Sequence, residues 1–188
     1  MRRLSPLFVI SVVLVAFAAV ASPSAARQDI ELPDYLPSVE ACENAWSDAA
    51  TPEEAASVFV AAMLTYEIDK DLAADCFERI VDESYLTDAE LSYDFNFLMD
   101  VGIGKSKDIA RSYVSGATPE NGYDIGKAPF VLKFIRDNRF QISNDEFRTK
   151  IVTSGQPTPR PITMRLDSNG HYRITEASSL FVGVAAPR

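Results

Sequence analysis

Apolar residues recur at helical spacing through the first half of the chain and at alternate positions through the second, so the period itself predicts helices followed by strands. Ser38 is placed to cap a helix running to about Ala49. Thr51-Pro52-Glu53-Glu54 then has the form of a capping box with Pro in the first turn. It predicts a helix from Pro52 to about Ile68, whose Ala55, Phe59, Ala62 and Tyr66 share a face that Val58 and Met63 widen. Asp69 or Asp71 opens a third helix with Leu72, Cys76, Phe77, Ile80 and Val81 inward. Thr87-Asp88-Ala89-Glu90 reads as a second capping box, and Leu91, Phe95, Leu98 and Met99 give a fourth helix its buried stripe, ended by Gly102.

From about residue 109 the pattern alternates. Phe130, Leu132 and Phe134 point one way and Val131, Lys133 and Ile135 the other, and Phe147 to Thr153 alternates again with Arg148 and Lys150 on the polar side. The final hairpin sends Ile162, Met164, Leu166, Tyr172 and Ile174 inward around Ser168-Asn169-Gly170. A two-residue loop would set Met164 against Arg173, whereas a three-residue loop with a left-handed Gly170 sets it against Ile174 and keeps the core apolar. Helices first and strands afterwards predict an α+β fold, N-terminal helices packed on a C-terminal curved antiparallel sheet. In element order this resembles the NTF2-like or cystatin-like cones. Residues 38–188 are expected to form one domain, helical over 38–108 and strand-rich over 109–188, behind an extended lead-in at 27–37 that holds Pro33 and Pro37.

Residues 1–26 read as a cleaved secretory signal: Arg2 and Arg3, an apolar run from Leu7 to Val20, then Ser24-Ala25-Ala26. That run is shorter than the roughly 20 residues of a membrane span. The expectation is a periplasmic or extracellular protein without a transmembrane segment after cleavage. In such a compartment Cys42 and Cys76 can form a disulfide, although two buried free thiols would satisfy the same apolar faces.

Charge changes the picture more than composition does. The chain carries 18 basic and 27 acidic side chains, a net of -9, which argues against nucleic acid as a partner. Residues 27–126 hold 6 basic and 22 acidic groups, while residues 127–188 hold 10 and 5. The three-residue loop puts Arg165 across from Arg173 on the face away from the core, and alternation sends Lys133, Arg148 and Lys150 to the same side. Like charges opposed across strands are unfavourable without a counter-charge. That face is the candidate anion-binding surface, suited to an anionic envelope component or an acidic protein.

Other chemistry is sparse. Gly102-Ile103-Gly104-Lys105-Ser106 lacks the leading glycine and preceding strand of a phosphate loop. His171 is the lone histidine, placed beside the turn on the polar face opposite Asp167. Asp69, Asp71, Asp75 and Glu78 lack the spacing of a calcium loop, so no metal or cofactor site is expected. The string Arg111-Ser112-Tyr113-Val114-Ser115-Gly116-Ala117-Thr118-Pro119-Glu120-Asn121-Gly122-Tyr123, with Ser154-Gly155 and Arg160-Pro161-Ile162-Thr163-Met164-Arg165, resembles a family of bacterial proteins known as a domain of unknown function. The likeness covers about residues 51–177 and begins with the helix start at Thr51 to Ala56. Where such sequences usually carry a Trp in the terminal hairpin, this chain has His171-Tyr172-Arg173. The resemblance implies one domain and no particular activity. The string is a turn builder, either a structural connection or a binding loop contacting ligand through Tyr113, Gly116, Glu120, Asn121 and Tyr123. The function expected is a non-enzymatic binding domain. The alternative is a small cone-fold enzyme with a pocket carboxylate as general base.

Overall fold

A computed structural model describes residues 26–137 and 139–188. The signal-peptide expectation lies outside the described residues, apart from Ala26. The described residues open with a strand, β1 (Ala26–Leu32), followed by α1 (Val39–Ser47), α2 (Pro52–Thr65) and α3 (Lys70–Ile80). A two-stranded ribbon, β2 (Leu86–Thr87) and β3 (Glu90–Leu91), leads into α4 (Tyr93–Val101) and the short α5 (Asp108–Arg111). Four strands complete the sheet: β4 (Phe130–Arg136), β5 (Glu146–Ile151), β6 (Arg160–Leu166) and β7 (Tyr172–Glu176). The sheet is antiparallel in the order β1-β4-β5-β6-β7, which gives the expected α+β arrangement of helices before the main sheet.

Local signals act largely where the sequence places them. Ser38 Oγ accepts from the Ala41 N–H, Asp69 Oδ1 from the Leu72 N–H, and Thr51 and Glu54 cap each other reciprocally. Helix α2 is more buried than an amphipathic stripe predicts, because all of its residues except Glu54 are enclosed. Its alanines let α1, α3 and the sheet approach from several sides. It stops at Thr65, short of Ile68; the Ile68 and Asp69 N–H groups both donate to the Thr65 carbonyl, and Asp69 at once caps α3.

Three expectations about elements are corrected. Thr87-Asp88-Ala89-Glu90 does not start a helix. Asp88 and Ala89 take φ of 53° and 69°, so the segment turns β2 into β3, and α4 is instead capped by Ser92 Oγ on the Phe95 N–H. The lead-in contains a strand, since β1 pairs with β4 from Ala26↔Arg136 to Leu32↔Phe130. The strand-rich half begins at Phe130 rather than near 109, the intervening chain holding α5 and a 3-10 turn at Pro119–Asn121.

The terminal hairpin has the expected register: Met164 faces Ile174 and Arg165 faces Arg173, with Gly170 at φ 86°. A β-carbon is disfavoured at that angle, which is why glycine suits the third loop position. Val81 bridges Ile174 and the Asp82 N–H donates to the Ile174 carbonyl, so the exit of α3 covers the far edge of β7. Phe59 of α2, Phe77 of α3, Phe95 of α4 and Phe181 after β7 interlock, with ring centroids 4.9 Å apart for Phe59–Phe77 and 5.8 Å for Phe95–Phe181. Cys42 and Cys76, both fully buried, form a disulfide joining α1 to α3 with Cα atoms 5.9 Å apart.

Candidate anion-binding face

Strand alternation sends Phe134, Ile151, Ile162, Met164 and Ile174 into the core and leaves the other face of the sheet mostly to polar groups, with Val131 and Ile135 half-buried among them. On that face the registers set five cations on a diagonal. Lys133 lies across from Val152 by its carbonyl bond, hence diagonal to Lys150; Arg148 pairs with Thr163, hence is diagonal to Arg165; and Arg165 is directly opposite Arg173. With strands about 4.8 Å apart, a diagonal from β4 to β7 crosses about 15 Å of sheet.

The cations differ in how firmly they are held. Lys150 Nζ lies 2.6 Å from Asp137 Oδ2, and that hydrogen bond holds the Asp137 carboxyl below its ordinary range. Lys133 is exposed and stands across from Asp29 of β1. Arg148 is exposed and donates through Nε to Thr163 Oγ1 at 3.3 Å, with no carboxylate partner among the described residues. Arg165 is half-exposed and reaches Asp82 at 3.8 Å, with Glu146 opposite it in the ladder.

Arg173 is built into the fold. Its Nε lies 3.3 Å from Asp167 Oδ2, Nη1 donates to the Arg79 carbonyl, and the guanidinium sits 4.2 Å from the centre of the Trp46 ring. Trp46 in turn donates from Nε1 to the Tyr172 carbonyl at 2.7 Å, while its ring packs 4.8 Å from that of His171. His171 is therefore partly covered by α1 as well as lying beside Asp167, its Nδ1 3.9 Å from Asp167 Oδ2. Burial pushes the Asp167 carboxyl up, but the N–H groups of His171 and Asn169 and the Arg173 guanidinium outweigh it and leave the pKa lowered. Beside this lock a groove of about 580 Å³ opens between the hairpin and the α3 exit, lined among others by Asp82, Glu83, Arg165, Asp167 and Arg173. The position of Trp46 is a contact that helical periodicity does not reveal.

The second candidate, the Gly116 to Tyr123 loop, divides into two parts. Tyr113 and Tyr123 face inward: the Tyr113 hydroxyl donates to the Leu180 carbonyl at 2.9 Å and the Tyr123 hydroxyl to the Ala185 carbonyl at 2.7 Å. Burial raises the pKa of both hydroxyls. They anchor the segment after β7 instead of projecting from the loop. Asn121 accepts from the Thr118 N–H and donates to the Gly116 carbonyl, and Gly116 itself adopts φ 98°. Glu120 is outward and pairs with Arg188 at 3.3 Å. Ser154 and Gly155 serve the same latch. The Ser154 N–H donates to the Ser112 carbonyl, and a β-carbon at Gly155 would collide with Val184 and the Tyr123 hydroxyl.

The fully buried carboxylate among the described residues is Glu53, and both its oxygens are bound by Arg136, with Nε to Oε1 at 2.8 Å. The Gly102 to Ser106 segment continues from α4, its Lys105 and Ser106 N–H groups donating to the Gly102 carbonyl, so it lacks the strand-to-helix geometry that cradles phosphate. No group of three His, Cys, Asp or Glu side chains placed for a metal ion occurs among the described residues.

These features define an α+β domain with one polar sheet face. The family model described as a domain of unknown function, DUF6935, matches residues 31–188, and the chain belongs to that family. No curated protein and no solved structure matches it.

Proposed function

We propose that the protein is a non-enzymatic binding domain acting in the periplasm or outside the cell, and that its outer sheet face takes an extended anionic polymer such as an acidic polysaccharide of the envelope. The observation that carries this reading is the diagonal from Lys133 through Lys150 and Arg148 to the opposed pair Arg165 and Arg173. A line of cations that runs about 15 Å across the strands and about 20 Å along them suits charges repeated along a chain better than a single small anion. Arg148, without a carboxylate partner among the described residues, and Arg165, whose ion pair is long, are arginines suited to paired contacts with anionic groups, so they are assigned the ligand contacts, and Arg173 the task of holding the hairpin. The compartment is supported by the disulfide and by the apolar N-terminal run followed by small residues. Among the described residues no helix is long and apolar enough to cross a membrane.

The test is a titration with heparin, with polygalacturonate and with phosphatidylglycerol vesicles at several salt concentrations, comparing wild type with Arg148→Ala/Arg165→Ala. The expected result is polymer binding that weakens with salt, with the double variant losing about two counter-ions from the salt slope. Equal affinity of both proteins for the polymers, or no binding by either, would discard the reading; binding to vesicles alone would move the ligand to lipid head groups.

A further inference from the structure

We propose that the outward face of α4 docks a basic amphipathic helix of a partner protein, at a site separate from the sheet face. The buried stripe of α4 is complete with Phe95 and Met99, yet Tyr93, Phe97 and Val101 stand 81%, 52% and 38% exposed. Four-residue spacing places these three side chains in one row, about 80° wide on a helix of 3.6 residues per turn. The Tyr93 and Phe97 rings stack with centroids 6.4 Å apart, so the row is a formed ridge.

Charge selects the occupant. On the helical wheel Asp94 borders the row on one side and Asp100 on the other, and both are exposed. A second copy of α4 laid on the first would bring these carboxylates against their own equivalents. An anionic lipid surface would meet the same repulsion from a half-chain with 22 acidic and 6 basic groups. A helix with an apolar stripe rimmed by Lys or Arg satisfies both features: its rows accept the ridge formed at i, i+4 and i+8, and its rims pair with Asp94 and Asp100. Exposed aromatic residues are also the side chains that most often carry binding energy at interfaces.

The test uses two synthetic helices of about 18 residues, roughly five turns, with the same Leu stripe and either Lys or Glu rims. Wild type should bind the Lys peptide and not the Glu peptide. Tyr93→Ser/Phe97→Ser should weaken that binding by about tenfold or more with its unfolding midpoint unchanged. Asp94→Lys/Asp100→Lys should transfer the preference to the Glu peptide. Undiminished binding by the serine variant, or no binding of the Lys peptide by wild type, overturns the proposal. Self-association or vesicle uptake that the serine variant abolishes also overturns it, giving the ridge to a second copy or to lipid.

Discussion

Arg165 stands directly opposite Arg173 across the terminal hairpin, and each guanidinium has found a different acid, Asp82 at 3.8 Å and Asp167 at 3.3 Å. The looser contact leaves Arg165 with unspent positive potential. Replacing it by Gln removes a like-charge pair along with a weak ion pair, and the two effects nearly cancel. Arg165→Gln should therefore sit within about 0.5 kcal/mol of wild type in low-salt urea unfolding. Sulfate stabilises most proteins by exclusion, so the informative quantity is the difference between the two proteins. At matched ionic strength, sulfate in place of chloride should raise the wild-type midpoint more than that of the variant. Equal rises would remove Arg165 from the anion face.

Asp167 makes the hairpin lock sensitive to acid. Its folded carboxyl titrates below the ordinary value, because the N–H groups of His171 and Asn169 and the Arg173 guanidinium outweigh its desolvation. A depressed carboxyl contributes stability that is present above its unfolded pKa, near 3.9, and disappears as pH falls through the lower folded value. Asp167→Asn should be less stable than wild type at pH 7, and the two stabilities should converge on acidification below about pH 4. Unfolding free energies measured from pH 7 down to pH 2.5 would show it; a difference constant across that range would mean that shape, and not charge, carries the effect of the substitution.

Glu53 and Arg136 join the first turn of α2 to the end of β4, with the carboxylate fully buried and the guanidinium partly exposed. Hydrogen bonding to Glu53 raises the Arg136 pKa further above its already high value. Arg136→Ala strands a buried negative charge and should cost about 3–5 kcal/mol. Glu53→Gln in the same background removes the charge and should recover a measurable share of that loss. A double-mutant cycle by chemical denaturation decides. If the second substitution adds to the damage of the first, Glu53 is held by more than its partner.

How far such contacts can be read in the sequence depends on their range. The Met164–Ile174 register follows from local rules alone, since one glycine and the need for an apolar core admit only the three-residue loop. Ser38, Thr51 and Asp69 cap their helices for equally local reasons. β1 is invisible at that range. Arg27, Asp29 and Glu31 read as a polar lead-in, and the segment becomes a strand only because β4, about 100 residues later, supplies its hydrogen bonds. On the candidate face, alternation gathers Lys133, Arg148, Lys150, Arg165 and Arg173, but the acids beside them come from elsewhere: Asp82 from the α3 exit and Asp137 from the β4 end. Tyr113 and Tyr123 look like solvent-facing loop aromatics until the segment after β7 is laid over them, when their hydroxyls prove to be its anchors.

Ala89 shows a local rule failing in a measurable way. Thr87-x-x-Glu90 has the spacing of a capping box, yet Ala89 sits at φ 69° in a tight turn between β2 and β3. A left-handed alanine costs about 1–2 kcal/mol, and glycine in its place gives back about 0.5–1 kcal/mol as added freedom of the unfolded chain. Ala89→Gly should stabilise the domain by up to about 1 kcal/mol, seen as a higher midpoint at unchanged denaturant slope. A lower midpoint would mean that the methyl group contributes packing worth more than the strain.

The Cys42–Cys76 bridge ties α1 to α3 across a sequence separation of 34 residues, with both sulfurs inside the core. A closed loop of that length restricts the unfolded chain by roughly 3.8 kcal/mol in the loop-entropy model. The native contacts around the two residues do not depend on the bond, because reduced thiols pack as small hydrophobes in the same apolar space. Reduction should therefore leave the circular dichroism spectrum at 25 °C intact while lowering the denaturation midpoint, with the loss confined to stability. Cys42→Ala/Cys76→Ala should behave like the reduced protein plus a cavity cost, so it should unfold earlier still. The bond is checked first by intact mass under denaturing conditions, which must rise by two hydrogen atoms on reduction. A domain that stays equally stable with reductant after that rise would place the constraint outside the unfolded state and require residual contacts between the two helices when the chain is denatured.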